Sequence, residues 1–217
     1  MKIYFTEISK EETAETTNLL NFVSEEKQSK LKRYRFPIDR KLSLYAEILV
    51  RQQAMYILGI KNDEIEFGIN KHGKPFLKGH PSFYFNISHT WNAIAVIFSK
   101  EEVGVDIEKI KPPDFQVSKR FFTSSEQHYI FSHEKPDRAF YEIWTKKEAY
   151  IKCIGIGLAQ PLKSFDVLND ESSISMHVDE YIISICYNKP VTELPHLIIL
   201  TEKELIASFM KISPSLF

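Results

Sequence analysis

The chain is organised around two stretches, Val103-Gly104-Val105-Asp106-Ile107-Glu108 and, farther along, Trp144-Thr145-Lys146-Lys147-Glu148-Ala149-Tyr150-Ile151-Lys152. In the first stretch, apolar residues alternate with Gly104, Asp106 and Glu108, which predicts a strand with one apolar face. The two carboxylates then lie on the opposite face, roughly 6.5–7 Å apart along the strand.

The second stretch is typical of a helix, in which Trp144, Glu148 and Lys152 share one side because they recur every fourth residue. If this side faces the strand, Glu148 joins the two strand carboxylates, with Lys152 one turn beyond. Three oxygen donors that leave room for water and substrate suit Mg²⁺ better than a transition metal. The sequence therefore indicates a Mg²⁺-dependent phosphoryl-transfer site. The alternative is an edge strand with two acids on its solvent-exposed face, together with a surface ion pair between Glu148 and Lys152.

The composition indicates a soluble globular protein of one large or two small domains, because 43% of its 217 residues are hydrophobic and 26% are charged. A net charge of −1 argues against a nucleic-acid binder. The two cysteines form no disulfide or zinc framework, so we expect a reducing, cytoplasmic setting. The N-terminal residues lack the apolar core of a signal peptide, and no apolar run is long enough to span a membrane.

Each half of the chain is predicted to contain helices followed by strands. Ser99–Glu102 is expected to be the tip of a hairpin and the joint between domains. The Thr123–Glu126 capping box should begin one helix, and Pro136 should begin the next, which ends at Gly155. The other helices predicted are Ser24–Tyr34 and Asp39–Leu58, and the strands include Lys2–Ile8 and an antiparallel set made of Ser164–Leu168, Ile174–Val178, Tyr181–Tyr187 and His196–Thr201.

Two further motifs have polar groups suited to phosphate. Ser88 and His89 are adjacent in a strand-like segment. Neighbouring side chains on a strand point to opposite faces, so a catalytic pair of Ser88 and His89 is disfavoured. Their hydroxyl and imidazole groups can instead donate to phosphate oxygens. In Gly73-Lys74-Pro75, a turn in the simplest interpretation, glycine would let a ligand approach the backbone and lysine would supply charge.

The ordered set of motifs resembles the 4′-phosphopantetheinyl transferase superfamily, in its longer, surfactin-type subclass. The motifs are Gly73-Lys74-Pro75, Phe85-Asn86-Ile87-Ser88-His89, Gly104-Val105-Asp106-Ile107-Glu108, Phe121-Phe122-Thr123-Ser124-Ser125-Glu126 and Trp144–Lys152. The resemblance implies an α+β fold of two similar lobes, each with helices packed on a small, mostly antiparallel sheet and related by a pseudo-twofold axis. It implies lobes of residues 1–101 and 102–217, a monomer, and coenzyme A in the cleft between the lobes.

The resemblance also implies the activity, which is transfer of 4′-phosphopantetheine from coenzyme A to a serine of an apo carrier protein, giving 3′,5′-ADP. Asp106, Glu108 and Glu148 would bind Mg²⁺ with the pyrophosphate, and Glu148 would also take the proton from the serine. Lys152 would contact the pyrophosphate and assist the departing 3′,5′-ADP. The remaining contacts to coenzyme A would come from Lys74 and Pro75 at the adenine and from Ser88 and His89 at phosphate groups.

The resemblance leaves several points open. The family commonly has an arginine where this chain has Leu42, so either a neighbour, Arg40 or Lys41, substitutes for it or a contact to the 3′-phosphate is missing. Lys27, Lys30 and Arg33 are other candidates for contact with the ligand. The carrier could dock on the segment Ile110–Phe122, although the phenylalanines of this segment, Phe115, Phe121 and Phe122, could equally be core residues. Nearby cations would attract an acidic carrier, namely Lys109, Lys111, Lys119 and Arg120. A Mg²⁺-dependent hydrolase of coenzyme A or another diphosphate, and a non-catalytic binding protein with a structural ion cluster, are the alternatives.

Overall fold

The computed structural model describes residues 1–157, 160–191 and 193–213. Within these ranges the strands are β1 (Lys2–Glu7), β2 (Phe67–Ile69), β3 (Pro75–Leu77), β4 (Tyr84–Thr90), β5 (Ala93–Ser99), β6 (Val103–Lys109), β7 (Ser173–Val178), β8 (Tyr181–Tyr187) and β9 (His196–Ile199). The α-helices are α1 (Ala14–Leu19), α2 (Glu25–Leu31), α3 (Pro37–Leu58), α4 (Gln116–Phe121), α5 (Ser124–Ser132), α6 (Pro136–Ile154) and α7 (Glu202–Ile212).

The strands form two main sheets, which confirms the predicted α+β architecture of two similar lobes. The first sheet has the order β4-β5-β1-β9 and the second has the order β6-β8-β7, while β2 and β3 pair as a separate hairpin. The apolar faces of the two sheets pack on each other, since Phe5, Ala95 and Ile97 share one buried cluster with Val105 and Ile185. The opposite face of the first sheet packs on α3, and that of the second sheet packs on α6.

The predicted helices are confirmed, and local chemistry explains their ends. Ser24 caps α2 by accepting a hydrogen bond from the Lys27 amide, and Thr123 and Glu126 form the predicted capping box of α5. The long helices α3 and α6 both begin at a proline and end at a glycine with positive φ, at Gly59 and Gly155. None of the helices in the described residues is both long and apolar enough to cross a membrane.

The prediction of a hairpin with its tip at Ser99–Glu102 is wrong, because β5 and β6 belong to different sheets. Both edges of β5 are already paired, one with β1 and one with β4, so that no edge is left for β6. Instead β6 pairs antiparallel with β8. The Ser99–Glu102 segment therefore carries the chain from one sheet to the other.

The prediction of a strand at Ser164–Leu168 is also wrong. Side chains, and not a neighbouring strand, form the hydrogen bonds to the backbone of this segment. The Lys147 ammonium donates to the Leu162 and Phe165 carbonyls, and the Val167 amide donates to a buried Glu126 carboxylate. Leu162–Ser164 forms a 3₁₀ turn that precedes this segment.

The last strand, β9, and the last helix, α7, return to the first lobe. The antiparallel pairing predicted for this strand is therefore wrong. β9 pairs parallel with β1, and α7 packs on α3. The fully buried Lys41 ammonium lies 2.9 Å from the Glu202 carboxylate at the start of α7, and Tyr45 donates to the same group. The lobe boundaries 1–101 and 102–217 stay a prediction, although residues after 195 contribute to the sheet of the first lobe.

Candidate active site

The site is built where α6 crosses β6, and Gly104 allows the two backbones to approach. A Cβ at Gly104 would overlap the Ala149 carbonyl oxygen and the Cys153 amide nitrogen, so any side chain there would push the helix away. Because Gly104 shares its strand face with Asp106 and Glu108, this approach places both carboxylates under α6. The alternation predicted from the sequence is confirmed, since Val103, Val105 and Ile107 are buried on the opposite face.

Strand β4 runs beside β6 and meets it through side chains. Asn86 accepts a hydrogen bond from the Val105 amide at 2.9 Å, Ser88 donates to Asp106 at 2.8 Å, and Thr90 donates to Glu108 at 2.8 Å. The roles of Asn86 and Thr90 were not predicted. Their spacing of two residues on either side of Ser88 is the signal that could have found them, because alternate residues of a strand share a face.

Lys152 connects the three elements. Its ammonium group lies 2.7 Å from Asp106 Oδ1 and 2.8 Å from Ser88 Oγ, so that α6, β6 and β4 meet in one hydrogen-bonded cluster. Asp106 and Ser88 are both nearly inaccessible to water, while the Lys152 side chain is 28% exposed. The structure therefore brings Ser88 from the first lobe together with Asp106 and Lys152 from the second.

The other two predicted carboxylates share this environment. Burial raises the pKa of Glu108 above its usual value, and the charge of Asp106 raises it further, while the hydrogen bond from Thr90 opposes the shift. Burial and then Asp106 also raise the pKa of Glu148, against the opposing effect of Lys152. The raised pKa values of Glu108 and Glu148 show that the positive charges nearby do not offset the negative charge of the three acids, an arrangement that favours a further cation.

The residues fit Mg²⁺ in their chemistry. Asp106 Oδ2 is buried and has no hydrogen-bond partner among the described residues, and carboxylate oxygens are the ligands that Mg²⁺ prefers. No three acidic, histidine or cysteine side chains of the described residues lie close enough together to hold a metal as they stand. Binding of Mg²⁺ by Asp106, Glu108 and Glu148 stays a prediction.

A cleft of about 220 Å³ opens between the lobes on the Lys152 side of this cluster. Its lining includes the predicted adenine contacts and parts of β4 and of the end of α6, namely His72, Gly73, Lys74, Pro75, Asn86, Ile87, Ile151, Lys152, Gly155 and Gly157. Ligand pockets commonly measure about 300–1,000 Å³, so this cleft would enclose part of a nucleotide-sized ligand.

Two family models match the chain: "4'-phosphopantetheinyl transferase, N-terminal" covers residues 10–102 and "4'-phosphopantetheinyl transferase superfamily" covers residues 102–192. The chain is 35% identical to the 4'-phosphopantetheinyl transferase ffp of Bacillus subtilis, over 77% of this chain and 76% of that protein. Identity is 33% with the transferase Sfp of Bacillus subtilis strain 168, over 81% of this chain and 79% of that protein. Identity with the transferase psf-1 of Bacillus pumilus is 30%, over 86% of this chain and 87% of that protein.

The chain belongs to the 4′-phosphopantetheinyl transferase superfamily. The relatives place it in the surfactin-type subclass, which confirms the resemblance seen in the sequence. It is therefore an enzyme, and members of this superfamily transfer phosphopantetheine from coenzyme A to carrier proteins.

In this transferase, Lys74 connects the lobes as well as lining the cleft. Its ammonium lies 2.6 Å from the Glu102 carboxylate and donates to the Val103 and Cys153 carbonyls. The charged end of Lys74 is therefore directed at the joint between lobes, and its aliphatic stem and Pro75 are left to flank a ligand.

His89 projects to the opposite side of β4 from Ser88 and is exposed. The protein atoms around its imidazole partly exclude water and so lower its pKa, and the positive charges of Lys152 and Lys27 add to this effect. A phosphate group between these cations would reverse the shift by favouring the protonated ring. Contact of Ser88 and His89 with phosphate stays a prediction.

The structure shows where the other candidate cations of the transferase lie. Lys27 contacts Ser43 and Glu47 and is close enough to His89 to affect its titration. Arg40 pairs with Glu12, and the Lys41 ammonium is enclosed between Glu202 and backbone carbonyls of the Ser9–Glu11 segment. Leu42 is part of the hydrophobic core. Neither Arg40 nor Lys41 is thus placed to replace an arginine at position 42.

The phenylalanines of the proposed docking segment divide between core and surface. Phe122 is fully buried and packs on Phe140 and Trp144, so the core interpretation is the correct one for it. Phe115 and Phe121 are half-buried at the rim of the same cluster. Of the three phenylalanines, Phe115 and Phe121 can still present an apolar surface to a carrier.

Proposed function

We propose that the cleft between the lobes binds coenzyme A together with Mg²⁺, and that a carrier-protein serine attacks the β-phosphorus of coenzyme A there. The new bond joins the serine oxygen to that phosphorus, the bond from the phosphorus to the bridging oxygen breaks, and 3′,5′-ADP leaves. The observation that supports this most directly is the Ser88–Asp106–Lys152 cluster, which joins both lobes beside two further carboxylates of raised pKa.

Glu148 is the proposed base. A carboxylate with a raised pKa accepts a proton more readily than an ordinary one, and Glu148 is half-buried on the face of α6 that covers Asp106. The serine proton would pass to Glu148 as the bond to phosphorus forms. Lys152, one helical turn away, would donate to the pyrophosphate and stabilise the negative charge that develops on 3′,5′-ADP.

Asp106, Glu108 and Glu148 would hold Mg²⁺ with the pyrophosphate. The ion would neutralise charge on the diphosphate and on the three acids. The unpartnered Asp106 Oδ2 supports this assignment, because a buried carboxylate oxygen without a donor is unfavourable until a cation occupies it.

The remaining proposed contacts are to the adenine and the phosphate groups of coenzyme A. Lys74 and Pro75 would flank the adenine, while Ser88 and His89 would bind phosphate groups, with His89 and Lys27 at the 3′-phosphate. We further propose that the protein acts as a monomer in the cytoplasm. Both lobes of one chain supply the site, and its cysteines, Cys153 and Cys186, are free and buried, as is usual in a reducing compartment.

The test is mass spectrometry of an apo carrier protein incubated with the enzyme, coenzyme A and Mg²⁺. We expect the carrier to gain the mass of one phosphopantetheine group and an equal amount of 3′,5′-ADP to appear. A carrier whose acceptor serine is replaced by alanine should gain nothing. Release of 3′,5′-ADP without modification of the carrier would identify a hydrolase, and binding without turnover would contradict an enzymatic role for the site.

A further inference from the structure

In the two-residue turn between β4 and β5, where Thr90 pairs with Ala93, Trp91 is a bulky residue at a position that usually holds glycine, asparagine or aspartate. It follows β4 in the turn to β5 with φ of +49°, in the left-handed region that bulky residues rarely adopt. Its side chain is 55% exposed, so little of it stabilises the core. A strained backbone that presents a large aromatic group to solvent suggests a function for that group.

Two lysines lie against this indole ring. The Lys111 ammonium is 5.1 Å and the Lys109 ammonium 5.9 Å from the ring centroid, within the range of cation–π attraction. Lys109 also pairs with Glu180 at 2.7 Å. Lys111 is exposed, and no carboxylate of the described residues forms a salt bridge with it. Trp91, Lys109 and Lys111 together are called the Trp91 patch below.

The patch lies at one end of the site, and the nucleotide cleft lies at the other. Along β4, Asn86 lines the cleft, Ser88 contacts Asp106 and Thr90 contacts Glu108, after which the strand reaches Trp91. Three residues of strand place Trp91 roughly 10 Å beyond Ser88. Along β6, Lys109 directly follows Glu108. The acceptor serine has to reach the carboxylates from outside, and this end of the site is open to solvent and positively charged.

We propose that the Trp91 patch is a docking surface for the carrier protein, and specifically for an acidic surface of the carrier beside its acceptor serine. The exposed Lys111 ammonium complements carboxylates, and the adjacent indole ring offers a flat apolar surface. This inference depends on the proposed function, because it concerns the approach of the second substrate to the same site. It adds a residue of the first lobe to the partner surface, whereas Phe115 and Phe121 belong to the second lobe.

The experiment compares steady-state transfer by the wild type, Trp91→Gly and Lys111→Glu. Trp91→Gly should raise the KM for the carrier about tenfold, as loss of a central interface aromatic does, while the KM for coenzyme A stays the same. Its melting temperature should be equal to or above that of the wild type, because glycine adopts positive φ readily. Lys111→Glu should raise the same KM and reduce its dependence on salt.

The matched control is Tyr56→Ala. Tyr56 is another exposed aromatic, 71% accessible, with the Lys2 ammonium 5.8 Å from its ring, and it lies on α3. Its loss should leave both KM values unchanged.

The outcomes separate the two proposals. If the wild type modifies the carrier and the two patch variants keep its KM, the docking proposal is overturned and the proposed function stands. If the wild type modifies no carrier, both fail. Self-association or vesicle binding that is lost in Trp91→Gly, with an unchanged KM for the carrier, would also overturn carrier docking by assigning the patch to another occupant.

Discussion

Replacing Gly104 with alanine should misplace α6, which carries the proposed base, while changing none of the proposed catalytic side chains. The added Cβ would lie 3.0 Å from the Ala149 carbonyl carbon, and closer still to the Ala149 oxygen and Cys153 nitrogen, where ordinary contacts measure 3.4–4 Å. All three are backbone atoms, so no flexible side chain can move aside and α6 itself must shift. We expect a displacement on the order of 1 Å, which at a catalytic site can reduce the rate about 100-fold.

Overpacking of this kind also reduces stability, by about 1–3 kcal/mol. For a protein of this size, each kcal/mol lowers the melting temperature by about 2–4 °C. The assays are thermal denaturation and kcat for carrier modification, measured at a temperature where the variant is folded. The matched control is Gly59→Ala, where a Cβ would meet nothing within 4 Å but φ is +69°. It should lose about 1 kcal/mol of stability and keep its kcat. Wild-type kcat in folded Gly104→Ala would refute the role given to the close approach of α6 and β6.

Three further predictions concern ionisable groups. Glu148→Gln should lower kcat by about 100-fold or more through loss of the proposed base, and the KM for coenzyme A measures whether binding is retained. Wild-type turnover would contradict the role proposed for Glu148. The same variant should melt at a higher temperature than the wild type at neutral pH without ligands. Burial raises the folded-state pKa of Glu148, so its charged form opposes folding, and the free energy of unfolding of the wild type should rise as pH falls through that pKa. Lys147→Met should lower the free energy of unfolding, measured by urea denaturation, by about 3–5 kcal/mol, because it removes the ammonium group 2.9 Å from the fully buried Glu126 carboxylate. The control is Lys146→Met, at a more exposed pair with Glu142, which should lower it by at most about 1 kcal/mol.

Local sequence signals were enough to predict four helices, the alternation of β6 and the family. Capping residues and glycines located α2, α3, α5 and α6, because these signals act within one or two helical turns. Strand alternation placed Asp106 and Glu108 on one face for the same local reason. The ordered motifs indicated the superfamily, which the comparisons then confirmed.

Which elements meet depends on contacts between residues that are far apart in the sequence. Strand pairing depends on which edges remain free after other strands have bound, so the separation of β5 from β6 could not be read from their adjacency. The parallel pairing of β9 with β1 joins residues almost 200 positions apart, through contacts that no local pattern specifies. The partners of buried charges are decided in the same way, since the contact of Lys152 with Asp106 and Ser88 and the burial of Lys41 against Glu202 exist only where packed elements converge.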